Sequence, residues 1–487
     1  MIPSIPLQKA RNYEREWAAR AVPDTRPLFH LTPQVGWMND PNGFCFYQGQ
    51  FHLFYQYHPY STQWGPMHWG HAVSDDLLRW QPRPCALAPD TPADKDGCFS
   101  GSAIPLPDGR LLLAYTGVTG AGSPDSLRQN QCIAIGDGTD FEKSPMNPVL
   151  PADLLPEAFS RQDFRDPKIW QEADGTYRMV TGNRHRTQCG TILLFRSLDA
   201  LHWQLAGEID SSRNEYGQMW ECPDLFLLNG TTVLLVSPQE MRATGEFHPG
   251  YGTVVLTGTF DESACRFTRK NVHPIDCGFS FYAPQTTLAP DGRRIMIGWM
   301  ENWETCAGSA RPHPWFSQMS LPRELSIQNG RLLQRPVREI ETFWQDTKHL
   351  QTRIQGEMAL PGIHGRLTDL TVSVGISPEC RLFSMDVAKD ASHYVRISYE
   401  SDRGELVFDR SHCGTTRDIV HIRRIPVDLQ EGRLTLRLVM DRESIELFIG
   451  DGEKVITSVI PPSPEADGIS FFADEPTDLT AELHHLV

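Results

Sequence analysis

Three acidic residues stand in nearly the same local setting. Asp40 lies in WMNDPNG, Asp166 in FRDPKIW and Glu221 in WECPDLF. Each is followed within two residues by proline, which donates nothing to a ladder and fixes the backbone just past the acid. Each also has an aromatic or an arginine close by. Two carboxylates flanking a sugar are the minimal equipment for glycoside hydrolysis: one attacks, and the other serves as general acid and then base. Nearby aromatics offer flat apolar faces to sugar rings. The amides of Asn39, Asn42 and Gln56 can meet hydroxyls. Taken singly, an Asp before Pro more often starts a turn, so the case depends on whether the three acids meet.

Other chemistries are poorly supplied. The chain has no H-E-x-x-H, no P-loop and no G-x-S-x-G elbow. GVTGAG at Gly117 to Gly122 is glycine-rich but follows no βαβ pattern. His68 and His71 stand three apart on a strand or loop, a spacing that suits hydrogen bonding better than metal ligation. No metal and no cofactor is expected.

What carries the acids is a repeat. An apolar strand, a glycine turn and a second apolar strand recur around Gly49, Gly109, Gly175, Gly230 and Gly292, separated by 60, 66, 55 and 62 residues. Five similar hairpins at this spacing predict five radial sheets, a five-bladed β-propeller. SDDLLRW at Ser74 and SLDALHW at Ser197, 123 residues apart, repeat at twice that period and predict a turn that delivers a Trp to the outer strands. Nine residues before the turn glycines stand Asp40, Ser100, Asp166, Glu221 and Ala283. Equivalent strands of all blades line one channel, so three acids in this register converge on one pocket.

The rest of the chain is read around this block. Residues 1–25 form an N-terminal helical extension without the apolar core of a signal peptide, and residues 26–335 form the propeller. RPVREIETFWQD predicts a linker helix over 336–349, with Val337, Ile340 and Phe343 on one side. Residues 350–487 are strand-like again, with a hairpin at Gly450-Asp451-Gly452, and are long enough for a β-sandwich. The expected fold class is all-β. A net charge of −16 argues against nucleic acid or an anionic membrane as partner, and no apolar run is long enough to span a bilayer. Eleven scattered Cys without C-x-x-C read as reduced thiols of a cytoplasmic protein. The sandwich offers a surface for a homodimer.

The motifs are more specific in combination. WMNDPNG, FRDPK and ECPD occur in this order, with WGPMHWGHAVSDDLLRW from Trp64, GCFSGSA from Gly97, FYAPQ from Phe281, GWM from Gly298, LPREL from Leu321 and DRESIELFIGDGE from Asp441. Together they resemble glycoside hydrolase family 32, the invertases, fructan hydrolases and bacterial sucrose-6-phosphate hydrolases, over nearly the whole chain after residue 26. The resemblance implies a five-bladed propeller with a sandwich behind it. It implies Asp40 as nucleophile on the fructosyl C2, Glu221 as acid and base, and Asp166 as the group that binds fructose hydroxyls and stabilises the transition state. It also implies a sugar pocket lined by Trp37, Asn39, Gln56, Trp64, Phe99, Ser100, Arg165, Tyr282 and Trp299.

Physical expectations follow. A retaining pair sits about 5–5.5 Å apart. The acidic neighbours of Glu221 should raise its pKa, while Asp40 stays charged and Arg165 holds Asp166 ionised. Cys222 either makes the surroundings of Glu221 less polar or is a buried structural thiol. The chain departs from the family at Ser280, where DFYAPQ is usual, and this puts a pocket role for that position in doubt. The leading reading is a β-fructofuranosidase acting on sucrose or sucrose 6-phosphate with retention. A fructosyltransferase or a non-catalytic fructoside-binding protein on the same scaffold are the alternatives. A phosphate site would need Arg, Lys or His on the glucose side.

Overall fold

The computed structural model describes residues 3–20, 26–306, 313–415, 420–461 and 465–487. The expected all-β architecture is present. Five antiparallel sheets follow one another along the chain, and each begins with its inner strand: Gly36–Tyr47, Gly97–Pro105, Phe159–Gln171, Met219–Leu228 and Tyr282–Leu288. These inner strands touch their neighbours around a closed ring. The ring is fastened by a two-residue strand, Trp315–Phe316, which pairs in parallel with Gly36 and Trp37 of blade 1. Each junction between blades has its own apolar core. Phe54, Trp69 and Tyr115 fill the space between blades 1 and 2, and Ile192, Leu194, Leu234 and Leu256 that between blades 3 and 4. The five turn glycines all adopt φ between 78 and 87°, with open space where a Cβ would project, so they are there for backbone conformation and not for packing.

The second repeat is also a structural one. Asp76 accepts from the N–H groups of Leu78 and Arg79, and Asp199 from those of Leu201 and His202. Leu77 and Ala200 both take left-handed backbone, at φ 68 and 63°. Each turn leads into an outer strand, one starting just after Trp80 and the other at Trp203.

The N-terminal helix, Ile5–Ala18, is capped by Ser4, whose Oγ accepts from the Leu7 N–H. It covers the open edge of blade 1. Glu14 accepts from the Cys85 N–H at 3.0 Å, and Arg11 donates to the Cys85 carbonyl at 2.9 Å. A sheet edge left bare would invite another chain to pair with it. Residues 1–2 and 21–25 of the expected extension lie outside the described residues.

The predicted linker helix is corrected. Only a short 3-10 helix forms, Arg338–Phe343, and the chain is already a strand at Trp344–Met358. Val337, Ile340 and Phe343 are buried as one face, so the apolar spacing was real but served a single tight turn. The C-terminal part is a sandwich-like sheet. Its last strand, Gly468–Leu486, is shared: the first half pairs with Leu382–Lys389 and the second with Thr368–Gly375. Side chains from both layers, among them Val372, Leu436, Met385 and Ile397, form one apolar core.

Propeller and sandwich meet through buried charge. His30 bridges Asp441 at 2.8 Å and Glu446 at 3.1 Å. Arg323, fully buried, reaches Glu446 at 2.7 Å and Asp276 at 3.1 Å. Glu446 also accepts from the Leu321 N–H, and Asp441 from those of Leu28 and Phe29. Ser280 belongs to this junction. Its hydroxyl accepts from the Val459 N–H at 3.2 Å, and its own N–H reaches the Thr457 carbonyl. Position 280, where the resembled family carries an acid, therefore faces the sandwich.

Candidate active site

The inner strands are irregular where the acids stand. Ladder register slips at Met38/Pro41, Phe99/Gly101, Arg165/Lys168, Glu221/Asp224 and Tyr282/Gln285. A bulge of this kind bends a strand and re-aims its side chains. Asp166, Cys222 and Ala283, each just before a proline, take left-handed backbone at φ 63, 48 and 52°. These three are therefore equivalent, and the expected register needs a correction. Pro41, Pro167 and Pro284 stand eight residues before their turn glycines, but Pro223 stands only seven before Gly230. Blade 4 has one residue fewer between its proline and its turn glycine, so Glu221 is one position ahead of Asp166.

The result is five dipeptides, one per blade: Asn39-Asp40, Phe99-Ser100, Arg165-Asp166, Glu221-Cys222 and Tyr282-Ala283. Second residues bond to second residues. Ser100 donates to Asp40 at 2.7 Å, the Cys222 N–H donates to Asp166 at 2.9 Å, and the Cys222 thiol lies 3.6 Å from both carboxylates. First residues bond to first residues. Arg165 donates to Glu221 at 3.0 Å, and the Tyr282 hydroxyl donates to its other oxygen at 2.5 Å. The sequence-predicted Asp40, Asp166, Glu221, Asn39, Ser100, Arg165 and Tyr282 are thus brought into one connected cluster.

Its electrostatics differ from expectation at both aspartates. Arg165 serves Glu221 and stands 4.0 Å from Asp166. The left-handed turn points the Asp166 carboxylate to the Cys222 amide instead. Burial, only partly countered by Arg165, pushes the Asp166 pKa up, and Glu221 and Asp40 push it further. Asp40 is raised too, by burial and then by Glu221, against the donors Ser100 and Asn39. Two acids thus sit where a negative charge is costly. Burial also lifts the Cys222 thiol well above its ordinary value, so sulfur remains an S–H donor between the two acids.

Around the acids lies an apolar collar that includes Trp37, Met67, Tyr282, Trp299 and Phe316. Charge interactions strengthen as such surroundings exclude water. Trp37 stacks on Phe316 at 4.9 Å, and its ring N–H donates to Asn39, which in turn donates to Asp40 at 3.1 Å. Trp299 is fully buried with its N–H on Ser317. Trp64 is different: 51% exposed, it meets Phe99 edge to face at 6.1 Å. Gln56 is buried and donates to the Cys98 carbonyl, so it holds the strand that carries Phe99 and Ser100. Asn42, expected to meet hydroxyls, is buried as well and accepts from the Gly101 N–H, tying blade 2 to blade 1. Sequence reasoning left out Thr116, Gln129 and Asp163. Thr116 accepts from the Asp166 N–H at 3.0 Å, while Gln129 and Asp163 hold Arg165 at 3.0 and 3.1 Å. No run of residues marks them. Among the described residues, no cluster of His, Cys, Asp and Glu is arranged to hold a metal ion.

Residues 30–336 match the N-terminal domain of Glycosyl hydrolases family 32, and residues 333–485 match its C-terminal domain. The chain belongs to family 32. It is 39% identical to sucrose-6-phosphate hydrolase of Escherichia coli, over 92% of this chain and 91% of that one. It is 36% identical to the raffinose invertase of the same organism, over 96% of each. The structure of a family 32 beta-fructofuranosidase from Bombyx mori superposes with a TM-score of 0.83 at 32% identity, covering 98% of this chain and 97% of that one. The chain is accordingly a glycoside hydrolase. Among its described residues, no helix is long and apolar enough to cross a membrane.

Proposed function

We propose that the protein hydrolyses the fructosyl bond of sucrose or sucrose 6-phosphate by double displacement with net retention. The observation that carries this is the division of the cluster into two bonded sets. Asp40 lies among the donors Ser100, Asn39 and Cys222, which hold it still and leave it no proton-bearing partner stronger than a hydroxyl or thiol. It attacks the fructosyl C2. Glu221, held on both oxygens by Arg165 and Tyr282, protonates the departing glycosidic oxygen and then takes the proton of the water that resolves the intermediate. Asp166 accepts fructose hydroxyls. In the resting site the acids repel one another within an apolar collar. Positive charge developing on the fructosyl ring relieves that repulsion, so the interaction is stronger in the transition state than before it.

The relatives support small sugars as substrates. Solved complexes of family members hold sucrose in the Bombyx mori enzyme and 1-kestose in the fructan 1-exohydrolase of Cichorium intybus. The exposed Trp64, edge-on to Phe99, suits a sugar face at the mouth. The test is incubation with sucrose and with sucrose 6-phosphate, following released fructose by NMR. Fructose appearing first as the β-anomer is the expected result. Release of the α-anomer, or no release from either substrate, rejects the mechanism.

A further inference from the structure

We propose that Asp163 is a positioning residue for the acid–base step: it takes up part of the Arg165 charge, so that the arginine orients Glu221 without stripping its proton. This rests on the acid–base role given to Glu221 above. A general acid must carry its proton when the substrate arrives. A guanidinium pressed against a carboxylate works against that, because a nearby cation favours the ionised form. Arg165 does press on Glu221, at 3.0 Å, and both side chains are largely buried. Alone, the two would make a closed ion pair with no proton to give. The remaining end of the guanidinium, its Nη1, donates to Asp163 at 3.1 Å and to Gln129 at 3.0 Å. One cation thus lies between two carboxylates, and only one of them belongs to the ring of five dipeptides.

Asp163 is fixed in this place by its own bonds. It stands two positions before Arg165 on the inner strand of blade 3. Its N–H donates to the Ser160 hydroxyl at 3.0 Å, that hydroxyl donates back to its carboxylate at 3.2 Å, and Asn183 donates to its carbonyl at 2.9 Å. Its side chain is 26% exposed against 14% for Glu221, so water weakens its pull on Arg165 without abolishing it. Arg184 limits the effect further. It lies 3.3 Å from Asp163 and 2.9 Å from Glu240, so Asp163 divides its charge between two arginines. Arg128 and Arg161 turn to Asp153 instead, at 2.8 and 3.4 Å. The other titratable groups that act on Glu221 are Tyr282, which donates to it, Cys222 beside it, and Asp40 and Asp166 across the cluster. Tyr251 stands behind them, its ring 5.8 Å from that of Tyr282. Among the described residues that contact Glu221, Arg165 is the only cation, so the share of its charge left over decides how readily Glu221 keeps a proton.

The test follows the basic limb of kcat/KM against pH, which reports the acid of the free enzyme, in the wild type, Asp163→Asn and Arg184→Gln with sucrose. Asparagine keeps an oxygen for Arg165 and removes only the charge. The limb should move down by about one pH unit in Asp163→Asn, a loss of about tenfold in kcat/KM above it. It should move up by about half a unit in Arg184→Gln, since Arg165 then has Asp163 to itself. A fructoside whose leaving group departs without a proton should escape the loss in Asp163→Asn. A purely structural Asp163 would lower activity evenly across the pH range. A limb that stays in place in Asp163→Asn, or moves the same way in both variants, overturns the proposal, as does an equal loss with both substrates. If Asp163→Asn does not fold, Arg184→Gln decides alone, by an upward shift or its absence. Failure of the acid–base reading looks different, since Glu221→Gln then leaves turnover of sucrose intact.

Discussion

Two buried clusters each hold three carboxylates, and they are supplied with cations differently. At the propeller–sandwich junction Asp276, Asp441 and Glu446 share two cations, Arg323 and His30. Burial by itself would raise all three, but His30 and Arg323 outweigh it at Asp441 and Glu446 and hold both below the usual carboxylate range, and only Asp276 stays raised. At the centre of the propeller, Asp40, Asp166 and Glu221 share one cation, which is spent mainly on Glu221. Asp40 and Asp166 are left raised. The first arrangement stabilises the fold. The second gives up stability for a pocket that favours positive charge.

The comparison is tested first at Asp40. Asp40→Asn should cut turnover of sucrose by ~10⁴-fold or more, as removal of a nucleophile does, while the thermal midpoint holds or rises. An active variant sinks the assignment, and an unfolded one sinks the contrast. Glu221→Gln should lower kcat by ~10³-fold, because general acid–base catalysis supplies about that much. The loss should shrink for a fructoside whose leaving group needs no proton. If such a substrate shows the same loss, Glu221 is not the acid.

The junction should respond through stability instead. Arg323→Met leaves Asp276 and Glu446 buried without their shared cation, and about 3–5 kcal/mol should be lost in denaturant unfolding. Asp166→Asn, in contrast, should kill activity without lowering stability. Equal losses in the two variants would erase the distinction drawn above. His30 adds a pH dependence. Burial lowers its pKa, but Asp441 and Glu446 raise it more, to about 9. Its contribution is therefore complete below the unfolded value near 6.5 and disappears as pH climbs through 9. Unfolding free energy should fall by ~3 kcal/mol across that window, and His30→Gln should flatten the decline. Smallest is Ser100→Ala. Loss of its donor raises Asp40, so the acid limb of kcat/KM against pH should move upward and activity fall about tenfold, the scale of a bond to a charged group. A limb that stays in place would mean that Ser100 does not serve Asp40.

Much of this was legible in the chain because it repeats. The turn glycines counted the blades, and the X-Pro dipeptides marked the places where inner strands bulge. The register of Glu221 was misjudged by one residue because blade 4 has one residue fewer between its proline and its turn glycine, a difference visible only once Pro223 is aligned with its counterparts. Arg165 was given to Asp166, its chain neighbour. A left-handed residue between two bulged positions turns adjacent side chains apart, and neighbours in sequence then serve different partners. The junction was not legible. His30 and Asp441 are 411 positions apart, and no local pattern announces such a pair.

The short Glu446 side chain has a further consequence. It accepts from His30, near the point where the chain enters the first blade, and from Leu321 and Arg323, near the point where it leaves the last. Both ends of the wheel are tied to one spoke that the wheel itself does not own. A propeller cut free at residue 336 would keep all three acids and the Trp315–Phe316 fastening of its ring, and would lose the tie that binds both ends of the chain's circuit to the sandwich.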